Sequence, residues 1–213
     1  MGILVALEGL DGAGKRTLVD KVVRELRGTG RTVVTLDFPR YGRSVHADLA
    51  SEALKGGHGD LAQSANAMAL LFALDRAGAA ADLRAAVAAN DVVLLDRYVA
   101  SNAAYGAARN HQNADGEFAA WIAETEFDRF DLPVPDLQIL LDVPVELAAQ
   151  RARARGESDA SRALDAYERD ADLQSRTAEV YRQLAEKRWQ GAWLRVTPDT
   201  DPGRLADEMA QLI

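Results

Sequence analysis

A glycine-rich segment near the start of this chain constrains its fold more than any other feature. Gly9-Leu10-Asp11-Gly12-Ala13-Gly14-Lys15-Arg16-Thr17 follows the apolar run Ile3-Leu4-Val5-Ala6-Leu7, which ends in Glu8. Sequence of helical character follows, from Lys15 to about Arg27. A strand that runs through such a turn into a helix gathers backbone N–H groups around one centre, at the positive end of the helix. The spacing is G-x-x-x-x-G-K, in which the lysine is a mobile cation for the outer phosphates of a nucleotide. One position departs from the pattern. Arg16 stands where Ser or Thr usually follows the lysine, and Thr17 comes one step later. The hydroxyl that would ligate Mg²⁺ is displaced, and whether Thr17 replaces it stays open.

Strand and helix patterns alternate along the rest of the chain. Gly28 and Gly30 close the first helix, and Thr32 to Leu36 reads as a second strand. The resulting β-loop-α-β unit normally closes with parallel strands and a right-handed crossover. Val45 to Leu54 and Leu61 to Val87 carry apolar residues at helical spacing. Asp91 to Asp96 is a third strand, and Tyr98 to Arg109 and Phe118 to Phe127 read as helices. After Pro133 and Pro135, Leu137 to Leu141 is a fourth strand. Pro144 opens a helix through Ala154. Gly156-Glu157-Ser158-Asp159 reads as a loop, Asp165 to Arg188 as one long helix, Ala192 to Val196 as a fifth strand and Pro202 to Leu212 as a last helix. This order predicts an α/β architecture on a parallel sheet.

Composition narrows the function classes. The chain lacks cysteine, which rules out disulfides and thiolate metal sites, and His46, His58 and His111 are too scattered for a local metal motif. A net charge of −8 argues against a general nucleic-acid or anionic-membrane binder. The longest uncharged stretch, between Asp60 and Asp75, is too short and too polar to span a bilayer. No signal-peptide pattern follows Met1. A cytoplasmic protein of 213 residues, acting on small molecules as one domain, is the expectation.

Further chemistry gathers where the strands end. Asp96 closes an apolar strand at the edge where open α/β sheets bind ligands, a place from which an acid can organise Mg²⁺. Arg97 beside it offers a bidentate fork for phosphate, as does Arg40 in Phe38-Pro39-Arg40-Tyr41-Gly42. Arg151, Arg153, Arg155 and Arg162 form the densest basic cluster of an acidic chain, in the manner of a mobile cationic lid. Phe72 and Arg76, four apart on a helical pattern, share one face, and by pattern alone Phe72 reads as a core residue.

Taken together, the glycine loop, Phe38 to Gly42, Leu95-Asp96-Arg97-Tyr98-Val99-Ala100-Ser101, the arginine run and Asp165-Ala166-Tyr167-Glu168-Arg169-Asp170 closely resemble bacterial thymidylate kinases. The likeness is strongest to the mycobacterial, actinobacterial type, which shares Gly12 to Thr17. It runs over nearly the whole chain, in order. It implies a P-loop nucleoside monophosphate kinase fold, a five-stranded parallel sheet surrounded by helices, with a small arginine-bearing lid at about 151–162. It also implies transfer of a phosphoryl group from ATP to dTMP with Mg²⁺, in a homodimer. By position, Gly9, Gly12, Ala13, Gly14, Lys15, Arg16 and Thr17 would hold ATP, together with Arg151, Arg155 and Arg162. Asp11, Phe38, Arg40, Tyr41, Phe72, Arg76, Arg97, Asn102, Tyr105, Asp165 and Tyr167 would hold dTMP. Lys15, Asp11, Arg97 and Arg155 would be catalytic, and Asp11, Asp96 and Glu168 would face the metal. The resemblance further implies a cis peptide at Phe38-Pro39. Some family members carry a catalytic arginine in the loop; Gly12 stands there here, so the lid should supply the cation. Two other readings compete. One is a kinase for a different nucleoside monophosphate. The other is a GTPase switch, for which Asp75-Arg76-Ala77-Gly78 fits D-x-x-G but no N-K-x-D exists.

Overall fold

The computed structural model of the chain describes residues 2–158 and 166–213, without the side chains of 155–158. Strands β1 (Ile3–Glu8), β2 (Val33–Asp37), β3 (Val92–Asp96), β4 (Leu137–Leu141) and β5 (Trp193–Val196) form one sheet in the order β2-β3-β1-β4-β5. Every pairing is parallel. Apart from Glu8, Asp96 and Gln138, β1, β3 and β4 are apolar, and every residue but the terminal Asp96 is buried, as central parallel strands require. β1 sits at the centre. The chain builds one flank first and the other later, so the strand order reverses beside β1, and ligands of open α/β sheets bind outside the carboxyl ends at such a reversal.

Helices cover both faces. α1 (Lys15–Gly28) and α10 (Pro202–Ala210) bury Leu18, Val22, Leu26, Leu205 and Met209 against one face. α5 (Val99–Arg109) and α9 (Ala171–Glu186) pack on the other, with α6 (Glu117–Ala123) outside α5. The alanines of α5 have a structural reason. Ala100, Ala103, Ala104, Ala107 and Ala108 are fully buried, and their small side chains let neighbouring helices come close. α2 (Val45–Leu54) and α3 (Ala65–Ala77) build a third, smaller cluster from Ala50, Ala53, Leu54 and Met68, with Phe72 and Tyr167 against it.

Several boundaries differ from the pattern in the sequence. Leu61 to Val87 is a 3₁₀ turn at Leu61–Gln63, then α3, then α4 (Ala80–Ala89). Ser64 breaks the run by accepting from the N–H of Ala67 as an N-cap, and Gly78 ends α3. The long helix expected from 165 to 188 is divided at Asp170, which caps α9 by accepting from Leu173 N–H at 2.9 Å and separates it from α8 (Ala166–Arg169). α7 (Val145–Ser158) continues through Gly156, where a loop was expected. The stretch after α6 winds into a π-helical turn, Glu124–Arg129. Among the described residues no helix is long and apolar enough to cross a membrane.

Gly106 is a point where the helix packing leaves no room for a side chain. A Cβ there would lie 1.9 Å from the ring of Phe118. Gly106→Ala should therefore destabilise the protein by about 1–3 kcal/mol through overpacking. Gly28→Ala, in the last turn of α1 with nothing within 4 Å, is the control. It should be neutral or stabilising by a few tenths to about 1 kcal/mol. Urea unfolding of both variants measures the difference.

Candidate active site

The loop between β1 and α1 curls through three left-handed glycines, with φ of 140° at Gly9, 78° at Gly12 and 102° at Gly14. Gly12 is also tied to α7: a Cβ there would sit 2.0 Å from the carbonyl oxygen of Ala148. No side chain fits at this position, so any cation for the loop has to come from elsewhere. The first turn of α1 carries no acid to neutralise its positive end. Lys15, buried at its N-terminus, donates from Nζ to the carbonyls of Gly9 (3.1 Å) and Leu10 (2.9 Å). Burial, and then the charge of Arg97, push its pKa down to about 8 against the pull of Asp11, Asp96 and Glu8. From α7, Arg151 donates Nη1 to the carbonyl of Ala13 at 3.3 Å, which sets a second cation on the loop. Arg16 is mostly exposed and pairs with Asp20 and Asp37, both at 3.5 Å; it and Thr17 also line the cavity described below.

Beside the loop lies an ion pair. Arg97 holds a left-handed φ of 67° directly after β3, and its backbone N–H donates to the carbonyl of Leu7 at 2.9 Å. This aims its guanidinium across β1, where Nη2 donates to Asp11 Oδ1 at 2.7 Å and Nη1 to the hydroxyls of Ser101 (3.1 Å) and Tyr181 (3.3 Å). The Tyr105 hydroxyl donates to the other oxygen of Asp11 at 3.0 Å. Burial works to raise the Asp11 pKa, but Arg97 and Lys15 outweigh it and hold the carboxyl below its ordinary range. Underneath is a residue that motif reading missed. Glu8 is fully buried and accepts from Tyr98 N–H (2.8 Å), Ser101 (2.6 Å) and Tyr181 (3.1 Å). Burial pushes its carboxyl up, against those hydrogen bonds and the charge of Arg97.

The third group comes from α3 and α5. Phe72, Arg76, Asn102 and Tyr105 line the same cavity of about 830 Å³ as Asp11, Gly12, Gly14 and Lys15. Phe38, Tyr41, Asp96, Arg97, Arg151, Tyr167 and Glu168 line it too. The Phe38-Pro39 bond is cis. Tyr105 stacks on Tyr167 with centroids 6.0 Å apart, and Arg109 lies over the Tyr167 ring and bonds its hydroxyl. Arg76 is more constrained than its sequence context suggests: Nε and Nη2 donate to Glu126 at 2.5 and 2.7 Å, both residues buried. Arg40 lies beside the cavity rather than in its lining. Its Nε donates to Asp75 Oδ1 at 2.8 Å and its Nη2 to the Asp75 carbonyl at 2.6 Å. Asp75 thus belongs to a buried ion pair on α3, and Asp75 to Gly78 is not the strand-following segment of a GTPase switch. Gly9 and Ala13 shape the loop without lining the cavity. Arg162 and Asp165 lie outside the described residues, as does the side chain of Arg155.

A family model for thymidylate kinase matches residues 7–195. The chain belongs to the thymidylate kinase family. Thymidylate kinase of Mycobacterium tuberculosis is 59% identical over 208 residues, which span 98% of this chain and 97% of that protein. A probable thymidylate kinase of Thermococcus gammatolerans is 32% identical over 190 residues, 87% of this chain and 84% of that one. Thymidylate kinase of Caulobacter vibrioides is 33% identical over 156 residues, 73% and 71% of the two chains. For a thymidylate kinase family member, the fold is the expected one, a five-stranded parallel sheet flanked by helices.

The depressed pKa of Lys15 has a measurable consequence. Above pH 8 the free protein loses this charge, whereas phosphate anions set against the lysine draw its pKa back up. ATP binding at about pH 9 should therefore take up a proton, and affinity should fall as pH rises through the Lys15 pKa. Calorimetry in buffers of different ionisation heat measures the uptake, which Lys15→Ala should abolish.

Proposed function

We propose that this chain transfers the γ-phosphoryl group of ATP to the phosphate of dTMP, giving ADP and dTDP. The observation that carries this is one cavity shared by a phosphate loop, cations from three separate elements and an aromatic pocket with a polar edge. Donor phosphates rest on the N–H groups of the loop, with Lys15 and Arg151 on them. Arg97, immobilised by Asp11, Ser101 and Tyr181, neutralises charge between the two substrates. Phosphoryl transfer asks for positioning and charge neutralisation and for no covalent intermediate, so rigidly held cations are the main need. Arg155 and Arg162 would add charge as a lid over 151–162, within a chain that acts as one unit.

The donor set also suits Mg²⁺. Among the described residues no three His, Asp or Glu cluster as a protein-only metal cage. Mg²⁺ ordinarily takes one or two carboxylates and completes its shell with phosphates and water. Asp96 lines the cavity, and its side chain makes no hydrogen bond among the described residues. Both oxygens of Asp11 are engaged, by Arg97 and Tyr105. Asp96 is therefore the better first ligand, with Glu168 on the same cavity. Bound there, the ion supplies positive charge to the β- and γ-phosphate oxygens.

At the acceptor end, Phe72 stacks on the base, Arg76 and Asn102 meet its edge and Tyr105 lies against the sugar, where it disfavours a 2′-hydroxyl. Tyr41 and Phe38 flank the acceptor phosphate, and Arg40 reaches it from its seat on Asp75. Tyr167 lines the same cavity, and Asp165 would join the dTMP contacts as the family resemblance implies. Leu70 and Leu74, exposed one turn apart on α3, supply an apolar face for a homodimer, which sedimentation measures. The expected setting is the cytoplasm.

A coupled ADP-release assay with ATP, Mg²⁺ and a panel of monophosphates tests the reaction. We expect dTMP to be fastest, dUMP weaker for lack of the methyl contact and dCMP essentially refused. Equal rates with dCMP would favour the kinase of another monophosphate. Lys15→Ala should lower kcat by ~10²-fold or more, the scale of one lost preorganised donor. Arg155→Ala should lower kcat more than it raises the KM for dTMP, because its contact forms chiefly in the transition state. A change confined to the dTMP KM would move Arg155 to the acceptor site.

A further inference from the structure

We propose that Glu126, which does not line the cavity, fixes the hydrogen-bonding polarity of the acceptor pocket and so sets which pyrimidine edge it accepts. This role presupposes the dTMP pocket proposed above. Glu126 is fully buried on the π-helical turn after α6 and touches the cavity only through two other residues. Its Oε2 accepts from Arg76 Nε, and its Oε1 accepts from both Arg76 Nη2 (2.7 Å) and Asn102 Nδ2 (2.8 Å). The second hydrogen of the same Asn102 amide goes to the carbonyl of Ala69 at 2.9 Å.

The orientation of Asn102 follows from chemistry. A carboxylate oxygen and a backbone carbonyl stand on one side of the amide, and both are acceptors, so the NH₂ group must face them. Oδ1 is left over and finds no partner among the described residues. Nor is it among their buried unpartnered side-chain atoms, which are the hydroxyls of Thr125 and Thr177. It therefore opens on the cavity that Asn102 lines. Arg76 has likewise spent Nε and Nη2 on Glu126, and Nη1 remains. Asn102 and Arg76 thus offer the pocket an acceptor, Asn102 Oδ1, beside a donor, Arg76 Nη1.

A thymine edge carries a donor at N3–H and an acceptor at O4, which fits this pair. Cytosine carries an acceptor at N3 and an amino donor at C4, which opposes both members. The code depends on Glu126 being an acceptor toward both neighbours. Were it an amide, its NH₂ would oppose either Arg76 Nε or, placed the other way, both Arg76 Nη2 and Asn102 Nδ2. In that second placement only the Ala69 carbonyl would still hold the Asn102 amide, so turning its NH₂ group to the cavity, where it suits cytosine N3, would cost far less.

Steady-state kinetics with dTMP and dCMP at saturating ATP test this. Glu126→Gln should narrow the kcat/KM preference for dTMP over dCMP by ~10-fold or more, the scale of a mismatched hydrogen-bonding pair. Most of the loss should be in the KM for dTMP, with the KM for ATP unchanged. Adding Glu126→Gln to Asn102→Ala should narrow the preference by less than it does in the wild type, because one of its two targets is gone. Glu126→Asp, a methylene shorter, should change the preference in the same direction by less. It gives the answer if Glu126→Gln does not fold. A folded variant at 126 that slows both substrates equally and keeps the wild-type preference would overturn the role and make the ion pair merely structural. A wild-type protein with no preference for dTMP would instead overturn the dTMP pocket itself.

Discussion

The site depends on one register. β1 and β3 pair in parallel with Leu7 opposite Asp96, so the two loops that leave them begin at the same height. One loop carries Asp11 and Lys15, the other Arg97. Arg97 turns back on β1 because its N–H reaches the Leu7 carbonyl, at the cost of a left-handed φ. Such strain in a non-glycine residue costs on the order of 1 kcal/mol and persists only where the surroundings over-determine it. Here a backbone hydrogen bond, the Asp11 carboxylate and two hydroxyls do so. A slip of one residue between these strands would turn their side chains to the opposite faces and part Arg97 from Asp11.

Gathering charge in this way opposes stability. Lys15, Arg76, Asp75, Glu8 and Glu126 are all nearly or fully buried, and taking ions out of water costs several kcal/mol each. The fold answers with ion pairs and backbone contacts: Arg76 with Glu126, Arg40 with Asp75, Lys15 on two loop carbonyls. Lys15 is the least well compensated, since carbonyls hold it and Arg97 repels it. An under-satisfied lysine facing a concave nest of N–H groups is poised for an anion. In that sense the destabilised element and the functional one are the same.

How much of this was legible in the sequence depends on how local each signal is. The phosphate loop, the strand-end acid Asp96 and the sheet itself are written in consecutive residues, and the five strands fall where apolar runs predict them. Helix ends at Ser64 and Asp170 were missed because a capping side chain inside a periodic run does not interrupt the apolar pattern. Glu8 stood in plain view as the acid ending β1, and what hid it was that its partners lie more than ninety positions away, at Ser101 and Tyr181. Asp75 was read only as part of a D-x-x-G match, while its partner Arg40 lies 35 positions upstream. Glu126 gave no signal at all. It lies 50 positions from Arg76 and reaches it through a π-helical turn that no periodicity announces.

The placement of Asp75 and Arg76 as neighbours on α3 adds a constraint that neither residue has alone. Asp75 holds Arg40 and Glu126 holds Arg76; in the proposed reaction Arg40 would serve the acceptor phosphate and Arg76 the base. The two contacts leave consecutive positions of one helix, and consecutive positions point about 100° apart. In that proposal α3 would span the distance from phosphate to base as a single element. Any shift of the helix that improved one contact would spoil the other. α2 braces it from outside by packing Ala50, Ala53 and Leu54 against Met68 of α3, and α5 from inside through Asn102, whose amide donates to the α3 carbonyl of Ala69. On the proposed reading the length of the acceptor would be measured by helix geometry, and its edge read by side chains that Glu126 already orients.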